Sequence, residues 1–466
     1  MSADQLASNA DRSPSLTTGW RELWLKEDWW AIWLGLGIVV VGYILFANGA
    51  SLKWIAVTPE KWSSLGQLGS QFAANWLRYL AQFAAWLVIF AAALTALGFA
   101  ARDFVPSFVF LYAFSVVIFA LGQWTQANYY NLEPPLVALL SGLLISNLIG
   151  LPRWMDAGFR VEFYIKTGIV LLGATLPFSL IAWAGPVAIL QASLVSVATF
   201  LVIFFAARKL GLDRQLSAVL GAGGAVCGVS ASIAIAGAVG AKKEYGPIAI
   251  TVVIFWAIVM IFALPIAAKW LQLPTGVAGA WIGASEFADA AGFAAAQTYG
   301  AYAGPASGVA GTADQAVWAF TLMKVVGRDV WIGVWALALA IVSTTRWEPS
   351  ESGSKPEAAE IWRRFPKFVL GFLIASLIVT WASRGYALAE FNKAVNPTLV
   401  APIKDLRTWT FIFCFFSIGL TTRVGELAKA GRKPFAAFSA GVAVNVLLGF
   451  VLSVFVFASY WANLAR

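Results

Sequence analysis

The sequence contains no histidine, so the side chain that most readily titrates near neutral pH, and the commonest zinc ligand, is missing. Cysteine is nearly absent. Cys227 and Cys414 both lie inside apolar runs, so no disulfide framework exists and the redox compartment is not indicated. Charge is scarce too: 12% of the 466 residues are charged, against about 25% in a water-soluble fold. A soluble protein of this length would lack the polar surface to cover itself. Also missing are a P-loop, a dinucleotide-binding glycine pattern behind a strand, and any cluster with metal-ligand spacing. The chain is therefore expected not to be an enzyme, with no catalytic or metal residues and no cofactor beyond a coupling H+ or Na+.

Apolar residues take the place of charge. They make up 60% of the chain, and the mean hydropathy is +0.77. Lipid can replace water as the solvent for such a surface, which points to an all-α, polytopic transmembrane helix bundle with the lipid bilayer as its partner. The net charge of +9 does not indicate nucleic acid, because the basic residues sit in short loops between apolar runs, as in proteins oriented by loop charge. Twenty-three tryptophans fit the two membrane interfaces. Residues 1–28 are polar and of mixed charge, and lack the basic start and short apolar core of a cleaved signal peptide.

Crossing roughly 30 Å of hydrocarbon takes roughly 20 apolar residues. Such runs lie near 29–46, 80–100, 107–122, 135–151, 164–183, 186–207, 247–268, 314–343, 367–383, 405–421 and 434–458, enough for about ten crossings. Two further apolar stretches, 215–240 and 276–298, are crowded with Gly, Ala and Ser. With a cytoplasmic N-terminus and each stretch entering and leaving on one side, about 21 basic residues fall inside and about 9 outside. The first stretch then dips in from the cytoplasmic face and the second from the outer face. Unwound crossing helices are the alternative, and they would move Lys242 and Lys243 outside. The domain reading is a cytoplasmic segment 1–28, a three-helix extension 29–130 and a transporter core 131–466.

Two segments repeat. Residues 173–185 read GATLPFSLIAWAG and 419–431 read GLTTRVGELAKAG; Gly173/Gly419, Thr175/Thr421, Ala182/Ala428, Ala184/Ala430 and Gly185/Gly431 match at one offset of 246. The topology runs the two copies in opposite directions, the pattern of inverted repeats.

The first Gly-rich break, 221–232, holds Gly223, Gly224, Cys227, Gly228, Ser230 and Ser232. Glycines ease unwinding, and half-helix N-termini there would aim amides and positive dipole ends at an anion. Close helix packing is the alternative for this motif, and the more natural role of Cys227. The second break holds Ser285, Glu286 and Asp289. Carboxylates inside an apolar stretch mark an ion path or paired site; an interfacial helix is the alternative. Lys324 and Arg328 are four apart in a helix expected to start at Thr312, where Thr-Ala-Asp-Gln reads as a capping box. Arg328 then lies roughly 20 Å along the axis, where its guanidinium could hold an oxyanion. A cytoplasmic loop is the other reading.

These motifs, the Cys-Gly-Val-Ser-Ala core of 221–232, the stretch 281–296, Lys324 with Arg328, and 416–431, resemble the bacterial sulfate exporter family of conserved membrane proteins. The resemblance spans residues 135–458. It implies an inverted-repeat fold related to sodium/proton antiporters and bile-acid symporters, a bacterial inner-membrane location, and export of a sulfur oxyanion. Relatives carry Thr-Ser-Ile-His-Asp where this chain has Ser285-Glu-Phe-Ala-Asp289; the aspartate matches and the histidine does not. The expected function is alternating-access transport of a small anion. The substrate would be held by Gly223, Gly224, Cys227, Gly228, Ser230, Ser232, Ser285, Lys324 and Arg328, with Glu286 and Asp289 as ion-coupling residues. A sodium-coupled organic-anion symporter, an anion channel and a membrane enzyme are the competing readings. The extension offers a scaffold or a homodimer surface.

Overall fold

The computed structural model describes residues 22–129, 134–242, 244–347, 366–386, 390–423, 425 and 431–464. Most of the N-terminal segment 1–28, Lys243, most of the basic cluster after Arg346, and the repeat positions Ala428 and Ala430 lie outside the described residues. Among the described residues the regular elements are helices, and extended pairing is confined to isolated bridges such as Trp62 with Trp124. This is the expected class, since a helix satisfies its own backbone in lipid.

In chain order the principal helices are α1 (Glu27–Ala47), α2 (Leu65–Ala96), α3 (Ala101–Gly122), α4 (Pro134–Leu144), α5 (Val161–Gly173) and α6 (Phe178–Lys209). Next come α7 (Arg214–Ala225), α8 (Val229–Ala238), α9 (Tyr245–Trp270), α10 (Thr275–Ser285) and α11 (Asp289–Gly300). The chain ends with α12 (Ala313–Trp347), α13 (Phe368–Ser383), α14 (Ala401–Thr421), α15 (Arg432–Val456) and α16 (Ala458–Ala462).

Among the described residues, seven helices are long and apolar enough to cross a membrane: α1, α2, α3, α6, α9, α12 and α15. At 1.5 Å per residue, the 26-residue α9 measures about 39 Å. That makes the protein multi-pass, with fewer full-length spans than the apolar runs suggest. The runs near 164–183 and 367–383 fall on α5 and α13, of 13 and 16 residues. Hydropathy averages across the turn between Gly173 and Phe178, whereas the helix does not continue through it. The run near 405–421 lies on α14, whose first turns carry Lys404, Asp405 and Arg407.

The chain divides into two compact units. One comprises residues 14–181 and 367–423 and holds α1–α5, α13 and α14. The three helices of the 29–130 region pack here against α4, α5, α13 and α14. Its core is aromatic: Phe90 meets Tyr164 at 5.1 Å, and Trp409 stacks on Tyr112 at 5.3 Å. Trp409 also donates its indole N–H to Val57 O at 2.7 Å. Glycines set the helix crossings. A Cβ on Gly142 would lie 2.5 Å from Phe416 O, and one on Gly173 would lie 2.1 Å from Phe372 O, so α4 meets α14, and α5 meets α13, backbone to backbone.

The other unit comprises the described residues within 182–366 and 424–466. It holds α6 from residue 182 onward, α7–α12, α15 and α16, and both Gly-rich stretches.

Candidate functional site

Each Gly-rich stretch folds as a hairpin. α7 starts at Asp213, whose carboxylate accepts from Gln215 N at 2.7 Å, a standard cap for exposed first-turn amides. It stops at Ala225. Val226 and Gly228 turn the chain, Gly228 with φ +67° and ψ −100°, backbone that L side chains rarely adopt. α8 then runs back beside α7. A Cβ on Gly223 would lie 2.5 Å from Ser232 Oγ, so small residues allow the two limbs to touch. At the open end, Gln215 Nε2 donates to Val239 O at 3.3 Å, which brings start and finish together.

α10 and α11 form the second hairpin. Glu286 is extended (φ −75°, ψ 138°), and so is Ala288 (φ −108°, ψ 133°). Glu286 and Asp289 therefore do not share a helical face, as their spacing suggests; Glu286 sits in the turn and Asp289 opens α11. At the open end, Tyr299 Oη donates to Leu273 O at 2.5 Å and to Ala268 O at 3.2 Å.

α12 joins the two hairpins. Its capping box is present: Thr312 Oγ1 accepts from Gln315 N at 3.2 Å, and Gln315 Oε1 accepts from Thr312 N at 2.7 Å. The second hairpin lies along the first turns. A Cβ on Gly279 would come 2.1 Å from Ala316 O, and one on Gly300 would come 2.8 Å from Ala313 O. The first hairpin approaches from the other end, where Ser343 Oγ donates to Val239 O at 3.3 Å. The two tips meet beside the π-wound stretch Leu322–Arg328, where a Cβ on Gly228 would lie 2.9 Å from Phe287 O. Lys324 and Arg328 fall roughly 17–23 Å along a helix roughly 50 Å long. They are on a continuous helix and fully buried, which removes the loop reading.

The two cations tie the tips together. Lys324 Nζ donates to Val226 O at 2.6 Å and to Glu286 O and Phe287 O at 3.1 Å each. Arg328 donates through Nε to Ala225 O at 3.0 Å and through Nη2 to Gly224 O at 2.6 Å. Its Nη1 reaches Ala284 O at 2.7 Å and Glu286 O at 3.0 Å. With the Asn445 amide oxygen turned toward the guanidinium, Asn445 accepts from Nη2 at 3.1 Å and donates to Ala284 O and Ser285 O at 3.1 and 3.0 Å. An ammonium has three N–H groups and a guanidinium five, so both sets are spent on these partners. The carbonyls come from the C-terminal ends of α7 and α10, where helix dipoles are negative and cations are favoured. In this arrangement neither cation has a donor left over for the oxyanion expected of Lys324 and Arg328, and both hold the tips together instead.

The other candidates divide between packing and opening. Gly223 and Gly224 serve contact: a Cβ on Gly224 would lie 2.3 Å from Ile203 Cδ1. Cys227 is buried at the first tip. Ser285 is fully buried, with its Oγ 2.8 Å from where a Cβ on Gly449 of α15 would sit; it faces a helix crossing. Ser232 is fully buried between the limbs of its own hairpin. Ser230 and Asp289 differ, because both are only half-buried while 221–228 and 281–287 are buried. Asp289 Oδ1 lies 3.6 Å from Lys324 Nζ, and its side chain is 13% exposed. Glu286 is fully buried. Its Oε1 accepts from Phe287 N at 2.8 Å and Ala288 N at 3.2 Å, whereas Oε2 has no hydrogen-bond partner among the described residues. Asp329, 1% exposed, follows Arg328. Reading the sequence missed Asn445, although an amide inside the apolar run of α15 is the same kind of signal as a buried charge.

A family model described as conserved hypothetical protein 698 matches residues 106–438. A UPF0324 membrane protein of Rhodopirellula baltica is 31% identical over 426 residues, covering 90% of this chain and 74% of its own length. One of Nitratidesulfovibrio vulgaris is 32% identical over 378 residues; that match covers 79% of this chain and 62% of the relative, so the chain spans less than two thirds of it. One of Nitrosomonas europaea is 30% identical over 445 residues, covering 87% and 90%. No solved structure matches the chain. With the matched segment running through both hairpins and the Lys324–Arg328 tie, the chain belongs to the conserved hypothetical protein 698 family of membrane proteins.

Proposed function

We propose that the protein is a secondary-active carrier that moves a small anion across the membrane by alternating access. The observation that carries this reading is the meeting of two hairpins, from opposite ends of α12, at a buried cluster of ionisable side chains. Interrupted helices whose ends meet near the bilayer midplane build the substrate sites of many carriers, and intramembrane charges mark ion paths. The anion would sit at the N-terminus of α8. There Val229 and Ser230 are half-buried at the rim of the sealed tip, and first-turn amides with a positive dipole end favour negative charge. Opposed hairpins are what an inverted repeat would produce. A sulfur oxyanion as substrate, export as direction, and an inner-membrane location with a cytoplasmic N-terminus rest on the family resemblance and the loop charges.

Purified protein in liposomes tests the proposal with labelled sulfite, sulfate and a small carboxylate under imposed ion gradients. Saturable, gradient-dependent uptake that Ser230→Ala weakens is the expected result. Conduction at channel rates, or no movement of any anion, would overturn it.

A further inference from the structure

We propose that the coupling ion is a proton taken up by Glu286, and that sodium has no place at this centre because Lys324 and Arg328 already hold the oxygens that would coordinate it. The inference rests on the carrier reading. In carriers built from broken helices, unwound carbonyls and C-terminal helix ends supply the ligands of a coupling cation. Here those oxygens belong to Gly224, Ala225, Val226, Ala284, Glu286 and Phe287, and each accepts from Lys324 or Arg328 at 2.6–3.1 Å. The side-chain nitrogens stand where a metal ion would. A sodium ion could enter only by displacing a tethered cation or lying beside two fixed positive charges. Among the described residues no group of three or more His, Cys, Asp or Glu is placed to hold a metal.

The charge count points to a proton. Lys324 and Arg328 stand against Glu286, Asp289 and Asp329, all 0–1% exposed except Asp289. With every group ionised the cluster has one more negative than positive charge, and one proton closes the difference. Geometry selects the acceptor. Asp289 keeps its contact with Lys324 at 3.6 Å and touches the half-open rim. Asp329 stands next to Arg328 in the chain and interacts with both cations. Glu286 is sealed in, with Oε1 engaged by two amides and Oε2 without a partner among the described residues. An ionised oxygen left bare in a buried site costs far more than a neutral hydroxyl there. Glu286 interacts with Lys324 and Arg328 of α12, and these two cations interact in turn with Asp329 of α12, Asp289 of α11 and Cys227 of the first tip. Binding an anion at the α8 rim adds negative charge beside this cluster. Anion and proton then favour one another's binding by the same factor, so the two move together.

Infrared spectroscopy of the purified full-length protein in lipid tests the site without requiring transport. The expected result is a carbonyl stretch of a protonated carboxylic acid near neutral pH that is lost in Glu286→Gln. It should be retained in Asp289→Asn and be indifferent to replacing Na+ with N-methylglucamine. A band unaffected by Glu286→Gln, or one that Na+ abolishes, would overturn the proposal. In flux assays above the pH at which this band is lost, anion affinity of the wild type should rise by up to about tenfold per unit fall in pH, the limit for one linked proton, and level off below it; Glu286→Gln should flatten that dependence. If the infrared result holds and no anion moves, the carrier reading fails and the proton site stands.

Discussion

Replacing Arg328 by lysine keeps the positive charge and removes the fork, which separates a structural tie from an anion-binding residue. The guanidinium makes four backbone bonds, to Gly224, Ala225, Ala284 and Glu286, and a fifth to Asn445. An ammonium offers three donors, so at least two of these bonds are lost inside a fully buried site. Hydrogen bonds to charged groups are worth about 1.5–3 kcal/mol each, so two of them amount to about 3–6 kcal/mol. Bonds sharing one group are not independent, and breaking a buried charge's contacts usually costs 3–5 kcal/mol, so about 3–5 kcal/mol is the expected loss for Arg328→Lys. Unfolding in mixed micelles, followed by circular dichroism without any anion, measures it. A residue kept to hold substrate would leave the stability of the empty protein nearly unchanged and weaken anion affinity instead. Stability within about 1 kcal/mol of wild type would therefore refute the tie.

Other substitutions probe single contacts. Gly228→Ala places a Cβ at φ +67°, 2.6 Å from Val253 Cγ1 and 2.9 Å from Phe287 O; the sparsely populated backbone alone costs about 1–3 kcal/mol, so a larger loss is expected in the same assay, and a neutral variant would contradict the contact between tips. Thr312→Ala removes half of the capping box that starts α12 and should cost about 1 kcal/mol. Ser285→Ala deletes a buried hydroxyl without a hydrogen-bond partner among the described residues, whose burial costs about 1–3 kcal/mol, so stability should be kept or rise and anion affinity should not change. Weakened binding would return Ser285 to the substrate site.

Much of this arrangement was legible because charge inside an apolar run is conspicuous. Glu286, Asp289, Lys324 and Arg328 stood out for that reason, and Thr312 with Gln315 marked where α12 begins. What the cations do was not legible. Their partners are backbone carbonyls of Gly224, Ala225, Val226, Ala284, Glu286 and Phe287, and a carbonyl carries no side-chain signal. A guanidinium read without its acceptors looks ready for an oxyanion; with them it is saturated. Ser285 misled for a related reason, since its position on α10 places it at the crossing with Gly449 rather than at the rim. Span lengths misled because hydropathy is averaged over residues and does not register the turn between α5 and α6.

The two hairpins enter from opposite ends of α12 and meet tip to tip. Cysteine accessibility tests this arrangement most directly, in a Cys227→Ala, Cys414→Ala background with single cysteines at the exposed positions Gly211, Gly240, Leu271 and Ala301. A membrane-impermeant thiol reagent should label the 211 and 240 positions from one face of the membrane and the 271 and 301 positions from the other. Labelling of 211 and 240 from different faces, or of all four from the same face, would rule out opposed hairpins.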